Sequence, residues 1–162
     1  MELIAFHDDP EWNKARRIAH PGTFNANPLC AAAGAKCLQI VASQPINALA
    51  DAAAARLKAG LNRTLKDAGV TGFSYGLASI VWVAFGASYD GDPEFCTLPR
   101  EVLRKAISTP EQFKRAMLNE GIDIMHGNKF ILSATHTNRE VDQTIEAFGR
   151  AVRGMKREGI VG

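Results

Sequence analysis

"LNEGIDIMHGNKFILSATHTNREVDQTIEAF", residues Leu118 to Phe148, decides the fold class. Two short apolar runs, Ile122–Met125 and Lys129–Ser133, flank His126-Gly127-Asn128, a turn-forming tripeptide. They are expected to form two short strands around that turn. Thr137, with Glu140 three residues later, has the spacing of a capping box. Val141, Ile145, Phe148, Val152 and Met155 then share one face of a helix. His136, directly before the cap, is expected to pack and support it. The tail "REGIVG" is expected to fray.

The elements upstream complete an α+β pattern. Short helices are expected at 100–107 and 110–120, with Thr109-Pro110 as cap and first-turn pair. "GASYDGDPEFCTLP" reads as loop, with DGDP as its turn signal. "SIVWVAF", Ser79–Phe85, is a continuous β-branched and aromatic run of central-strand type, and Gly72–Tyr75 is a second strand. Before them a helix covers Pro45–Ala68. Ile46, Leu49, Ala53, Leu57 and Leu61 recur at helical spacing, with Arg56, Lys58, Arg63 and Lys66 turned elsewhere and Gly69 as stop.

Residues 1–26 carry little regular pattern. Met1–Phe6 could finish a helix, His7–Pro10 is turn-like, "WNKARR" reads as an exposed basic turn, and Ile18–Phe24 is extended or loop. Pro28 opens a further helix, with Asn27 as N-cap and Pro at the favoured first position. Its sequence, "PLCAAAGAKCLQIVA", is small or apolar on nearly every side, which predicts a helix buried all round rather than an amphipathic one. The chain thus divides into 1–44 and 45–162.

Bulk properties exclude several function classes. A net charge of +2 over 162 residues, with no basic block, gives no nucleic-acid partner. Arg16-Arg17 is only a pair, expected in a solvated loop. No apolar run reaches the ~18 residues that span a bilayer, so no membrane partner is expected. The acidic start, "MELIAFHDDPEWN", lacks the basic end and apolar core of a signal peptide. Cys30, Cys37 and Cys96 form no CxxC pattern and are expected as buried free thiols, which fits a reducing cytoplasm. His7, His20, His126 and His136 have no short metal-ligand spacing, so no metal site is expected. Ser74, Ser79 and Ser88 lack a nucleophile elbow, and Asp8-Asp9 with Glu11 reads as a solvated acidic turn.

"HPGTFNANPL", His20–Leu29, is the stretch with chemical content. Gly22 permits close backbone approach, Thr23 offers a hydroxyl, and Asn27-Pro28 starts a helix whose N-terminus carries roughly half a positive charge. An anion, phosphate above all, suits that arrangement. A capped Asn-Pro helix start with a purely structural role is the other reading, and His20 reads as a loop histidine.

"HPGTFNANPLCAAAGAKCL" together with "LNEGIDIMHGNKFILSATHTNREVDQTIEAF" resembles the class III pyridoxal-phosphate-dependent aminotransferases, most of all the glutamate-1-semialdehyde 2,1-aminomutases, over about residues 13 to 155. The resemblance implies the C-terminal small domain of a fold type I transferase, residues 45–162, preceded by a late helical segment of the large domain, residues 1–44. It implies pyridoxal 5'-phosphate as cofactor, with Thr23 hydrogen-bonding its phosphate across a homodimer interface and Gly22 close to the same phosphate. The implied reaction moves an amino group of a small amino acid or amino aldehyde by imine exchange.

The family's Schiff-base lysine lies upstream of the Gly-Thr segment, in a Gly-rich stretch. None of Lys14, Lys36, Lys58, Lys66, Lys105, Lys114, Lys129 and Lys156 has that context. No catalytic residue is therefore expected here, and the chain alone is expected to be inactive. Its apolar first helix is expected to need cover from the missing part. Asn128 stands about where some family members carry an acidic residue, a departure from the aminomutase pattern. The alternative is a non-catalytic dimerisation or binding module left from such an enzyme.

Overall fold

The computed structural model describes residues 2–19, 21–106 and 110–162, in two compact units, Met1–Ser43 and Gln44–Gly162. The readings of His20 and of Thr109 as a cap lie outside the described residues.

In the first unit the chain forms a 3-10 turn at Glu2–Ile4, then a five-residue π-helical stretch, Trp12–Arg16, where "WNKARR" reads as a plain turn. Side-chain bonds explain the helical winding. Asn13 pairs with the backbone of His7 through Oδ1 (3.0 Å) and Nδ2 (2.6 Å), and the Trp12 ring lies 4.5 Å from that of His7. Arg17 is not a solvated partner of Arg16, because its guanidinium sits 4.0 Å over the Phe6 ring. Helix α1 then runs Pro28–Ser43. Asn27 caps it as expected, its Oδ1 accepting the N–H of Leu29 (3.0 Å) and Cys30 (3.2 Å).

Within this chain α1 is uncovered, as the expectation that its cover belongs to another part implies. None of its residues is buried, and Leu29 and Leu38 are 79% and 71% exposed. Cys30 and Cys37 are accordingly exposed, and Cys96 is half-buried against the cluster of Phe73, Ala84 and Ala106, so none of the three is fully buried. An apolar sequence states what a helix could bury and says nothing of what lies against it.

The second unit is a three-stranded antiparallel sheet with the three longer helices on one face and a short one against the other. Helix α2 spans Ile46–Ala68 and ends at Gly69, whose left-handed backbone (φ 60°) sends its N–H back to Leu65 and Lys66. Strands β1 (Gly72–Tyr75) and β2 (Ile80–Phe85) pair from Gly72–Phe85 to Tyr75–Trp82. Helices α3 (Arg100–Lys105) and α4 (Pro110–Asn119) follow. Strand β3 (Lys129–Ile131) adds to the other edge of β2, which is central as its composition predicts. Helix α5, Asn138–Arg157, closes the unit. The expected strand at Ile122–Met125 reduces to one bridge, Met125 to Lys129, because the turn leaves a single residue opposite β3.

Alternation along β2 builds the core. Val81, Val83 and Phe85 face Leu57, Leu61 and Leu65 of α2, Phe113 and Met117 of α4, and Val141, Phe148 and Val152 of α5. Phe113 sits at the centre, edge-on to Phe85 (5.1 Å) and Phe148 (5.7 Å). Gly60 makes the α2–α5 approach possible, since a Cβ there would come within 2.2 Å of Ile145. A smaller cluster, Phe73, Ala84 and Ala106, covers the opposite face of the sheet.

Three details differ from the sequence expectations. Leu49 is 50% exposed, and Ala50, Ala54 and Leu65 take up the buried face of α2 instead. Lys58 is not turned to solvent. It is 6% exposed, its Nζ donates to Gly76 O (2.8 Å), and Glu94 lies 3.6 Å away. The tail does not fray either, because Val161 is buried and Gly162 O accepts the N–H of Thr71 (2.8 Å).

Candidate functional site

The Gly-Thr stretch forms a turn that leads directly into α1. Asn25 N–H donates to Gly22 O (3.2 Å) and Asn27 N–H to Phe24 O (3.0 Å), with Ala26 held in the left-handed region (φ 62°). Gly22 leaves room for the Asn25 side chain, whose Oδ1 would lie 2.5 Å from a Cβ at that place. Thr23 is exposed, and its hydroxyl has no hydrogen-bond partner among the described residues. Asn27 already satisfies two of the first N–H groups of α1. What the turn offers an oxyanion is therefore the Thr23 hydroxyl, backbone approach at Gly22 and the positive end of a 16-residue helix. These residues fit a phosphate group.

In the second unit, a cleft of about 510 Å3 brings together residues that the sequence holds apart. His126 and His136 both line it, with Lys114, Asp123, Lys129 and Glu140. Lys114 Nζ lies 3.1 Å from Asp123 Oδ1. His126 and Gly127 both have left-handed backbones (φ 52° and 81°), which reverses the chain between Met125 and Lys129. The Ser133 N–H donates to His136 Nδ1 (2.9 Å), so the proton of a neutral His136 ring is on Nε2. The expected packing and capping role is not found, because His136 is exposed and bonds the Ser133 turn, while Thr137 and Glu140 make the cap.

Glu140 completes the capping box. Its Oε2 accepts from the Thr137 hydroxyl and from the Thr137 N–H (2.9 Å), while Thr137 Oγ1 accepts from Arg139 N–H (3.2 Å). The hydrogen bond from the Thr137 hydroxyl, then that from its backbone N–H, holds the Glu140 carboxyl below the usual carboxylate range. Asn128 is turned into the sheet, its Nδ2 donating to Val83 O (3.3 Å). Among the described residues no group of three or more His, Cys, Asp or Glu could hold a metal, and no helix is long and apolar enough to cross a membrane.

Two features carry no motif signal. Buried Lys58 reads from sequence as one more surface cation. A second cavity is framed by Arg150, Arg153, Lys156 and Arg157 of α5, and only their spacing along that helix could have indicated it.

No family model matches the chain. It is 30% identical over 139 residues to the glutamate-1-semialdehyde 2,1-aminomutase of Methanopyrus kandleri, covering 84% of this chain and 31% of that enzyme. An omega-transaminase from Sphaerobacter thermophilus matches in structure with TM-score 0.64 and 25% identity, over 87% of this chain and 31% of its own. The FumI protein of a Sphingopyxis strain, solved in its PLP internal aldimine form, matches with TM-score 0.68 and 25% identity, over 93% and 33%. The chain spans about a third of the length of these relatives. In sequence and in fold, the chain is similar over most of its length to one part of the pyridoxal-phosphate-dependent aminotransferases and aminomutases.

Proposed function

We propose that this chain is the C-terminal portion of a pyridoxal-phosphate-dependent aminotransferase or aminomutase. In this reading residues 1–44 are a late segment of the large domain, and residues 45–162 are the small domain. The observation that carries it is the shared fold over 93% of the chain, together with 30% identity to an aminomutase. Pyridoxal phosphate, when bound, supplies the electron sink for a carbanion next to the transferred nitrogen. The substrate class is a small amino acid or amino aldehyde, and the setting a cytoplasmic homodimer.

This chain contributes binding and orientation. The Thr23 hydroxyl donates to a phosphate oxygen, and Gly22 lets the backbone come close to it. Helix α1, capped by Asn27, points its positive end the same way. No lysine of the chain is assigned a covalent role. Lys58, the buried one, has its ammonium committed to Gly76 O and faces Glu94. The covalent anchor is expected in the portion of the enzyme that precedes these residues.

The test combines this chain with that portion, as one polypeptide or two. Thr23→Ala should weaken pyridoxal-phosphate binding by about 1.5–3 kcal/mol, the range for a hydrogen bond to a charged group. Titration followed by the visible absorbance of bound cofactor reads the change. Unaltered affinity in the variant removes Thr23 from the phosphate site. Amino-group transfer by this chain alone would overturn the reading that it is incomplete.

A further inference from the structure

Arg150, Arg153 and Arg157 stand at i, i+3 and i+7 on α5, so one stripe of the helix carries three guanidinium groups. With Lys156 and Glu120 they line a cavity of about 590 Å3. That volume is in the range of small-molecule sites, which are lined mostly by apolar side chains, whereas every side chain lining this one ends in a charge.

The four cations differ in their commitments. Arg150 Nε donates to Glu120 Oε2 at 2.6 Å, which fixes that guanidinium and neutralises the one carboxylate of the lining. Lys156 Nζ donates to Ala68 O (2.9 Å) and Gly69 O (2.8 Å), the carbonyls at the end of α2. Arg153 folds back along its own helix over Gly149, where a Cβ would lie 3.3 Å from Nη1. Neither Arg153 nor Arg157 has a hydrogen bond or ion pair among the described residues.

Helix ends explain part of this charge. Lys156 and Arg157 are in the last turn of α5, where cations offset the negative end of the dipole. That compensation amounts to about half a charge per helix end and does not extend to Arg153, a turn earlier. Like charges one turn apart on a helix repel, so Arg153 and Arg157, which have no carboxylate partner among the described residues, disfavour each other until an anion joins them. Planar guanidinium forks match the oxygens of phosphate in pairs.

We propose that this cavity binds a small soluble oxyanion of the pyrophosphate or phosphate-ester class, held by Arg153 and Arg157 and framed by Arg150 and Lys156. The site lies on α5, whereas Gly22 and Thr23 precede α1, so the proposal does not rest on the cofactor reading.

The test is calorimetric titration of the full chain with pyrophosphate at low ionic strength. Saturable binding with Kd below about 1 mM is expected, weakened about tenfold or more in the double variant Arg153→Gln/Arg157→Gln. Arg100→Gln/Arg104→Gln, which removes the same charge from α3, should change Kd by less than about twofold. Arg153→Lys/Arg157→Lys keeps the charge and loses the forks, and should bind more weakly than the parent chain. Absence of saturable binding overturns the proposal, as does equal loss in both glutamine pairs, which would mean bulk charge alone. Retention by phosphatidylglycerol vesicles without pyrophosphate binding also overturns it, because the partner is then a membrane surface.

Discussion

Replacing Lys58 tests how a buried ammonium is kept in this fold. Its Nζ has two candidate partners, Gly76 O at 2.8 Å and Glu94 Oε1 at 3.6 Å. Glu94 is 51% exposed, so its attraction is screened, and a pair of that kind is worth about 0–1 kcal/mol. The charged hydrogen bond to Gly76 O is worth about 1.5–3 kcal/mol, and its loss leaves a carbonyl unpaired under α2. Lys58→Met keeps the aliphatic stem, removes both interactions and relieves the cost of burying the charge. The net loss should be about 2 kcal/mol. For the unit Gln44–Gly162 this is a fall of roughly 6–10 °C in Tm. Glu94→Gln should cost less than about 1 kcal/mol, a few degrees at most. Both are read by thermal unfolding followed with circular dichroism. A Glu94→Gln loss equal to or greater than that of Lys58→Met would refute the reasoning. The ion pair, not the carbonyl, would then be what holds the amine inside.

Two further outcomes follow from the cap and the thiols. The folded Glu140 carboxyl is depressed below its ordinary value of 4.5, so its contribution is present above that value and is lost as pH falls through the depressed one. Relative to Glu140→Gln, the parent chain should be more stable at pH 7, and the gap should close in acid. A gap that does not vary with pH would show that the charge on the cap contributes nothing. Cys30 and Cys37 are exposed and Cys96 half-buried, so two thiols should react with Ellman's reagent at free-thiol rates and the third more slowly. Once this chain is joined to the preceding portion of the proposed enzyme, Cys30 and Cys37 should slow by about tenfold or more if α1 becomes covered. Unchanged rates would leave the apolar side of α1 without a role in that enzyme.

What was legible in the sequence was local. The Asn27 cap, the Gly69 stop and the Thr137–Glu140 box each depend on bonds spanning a few residues, and all three are present. Strand β2 was legible because a run of apolar β-branched and aromatic residues fits only the middle of a sheet. What the sequence left out involves distant partners. Lys58 is buried because Gly76, eighteen residues on, turns a carbonyl toward it. The tail is held because Thr71 is in reach of Gly162. By position Asn62 is one more polar residue on α2, yet its side chain bonds both the N–H (2.6 Å) and the C=O (3.0 Å) of Ser74. It thereby occupies the open edge of β1 as a neighbouring strand would.

The candidate site divides along the same line. Gly22 and Thr23 stand out as candidates because a turn before a capped helix is a local pattern with a known electrostatic consequence. The geometry adds that Asn27 takes up the N–H groups of Leu29 and Cys30, so in the proposed phosphate site the Thr23 hydroxyl, rather than those amides, would be the donor. A substitution at Asn27 and one at Thr23 therefore test different things. The first loosens the helix start, while the second removes the donor. If the turn were only a helix cap, stability would follow Asn27 and nothing would follow Thr23. The Thr23 hydroxyl, uncommitted among the described residues, is what separates the binding reading from the structural one.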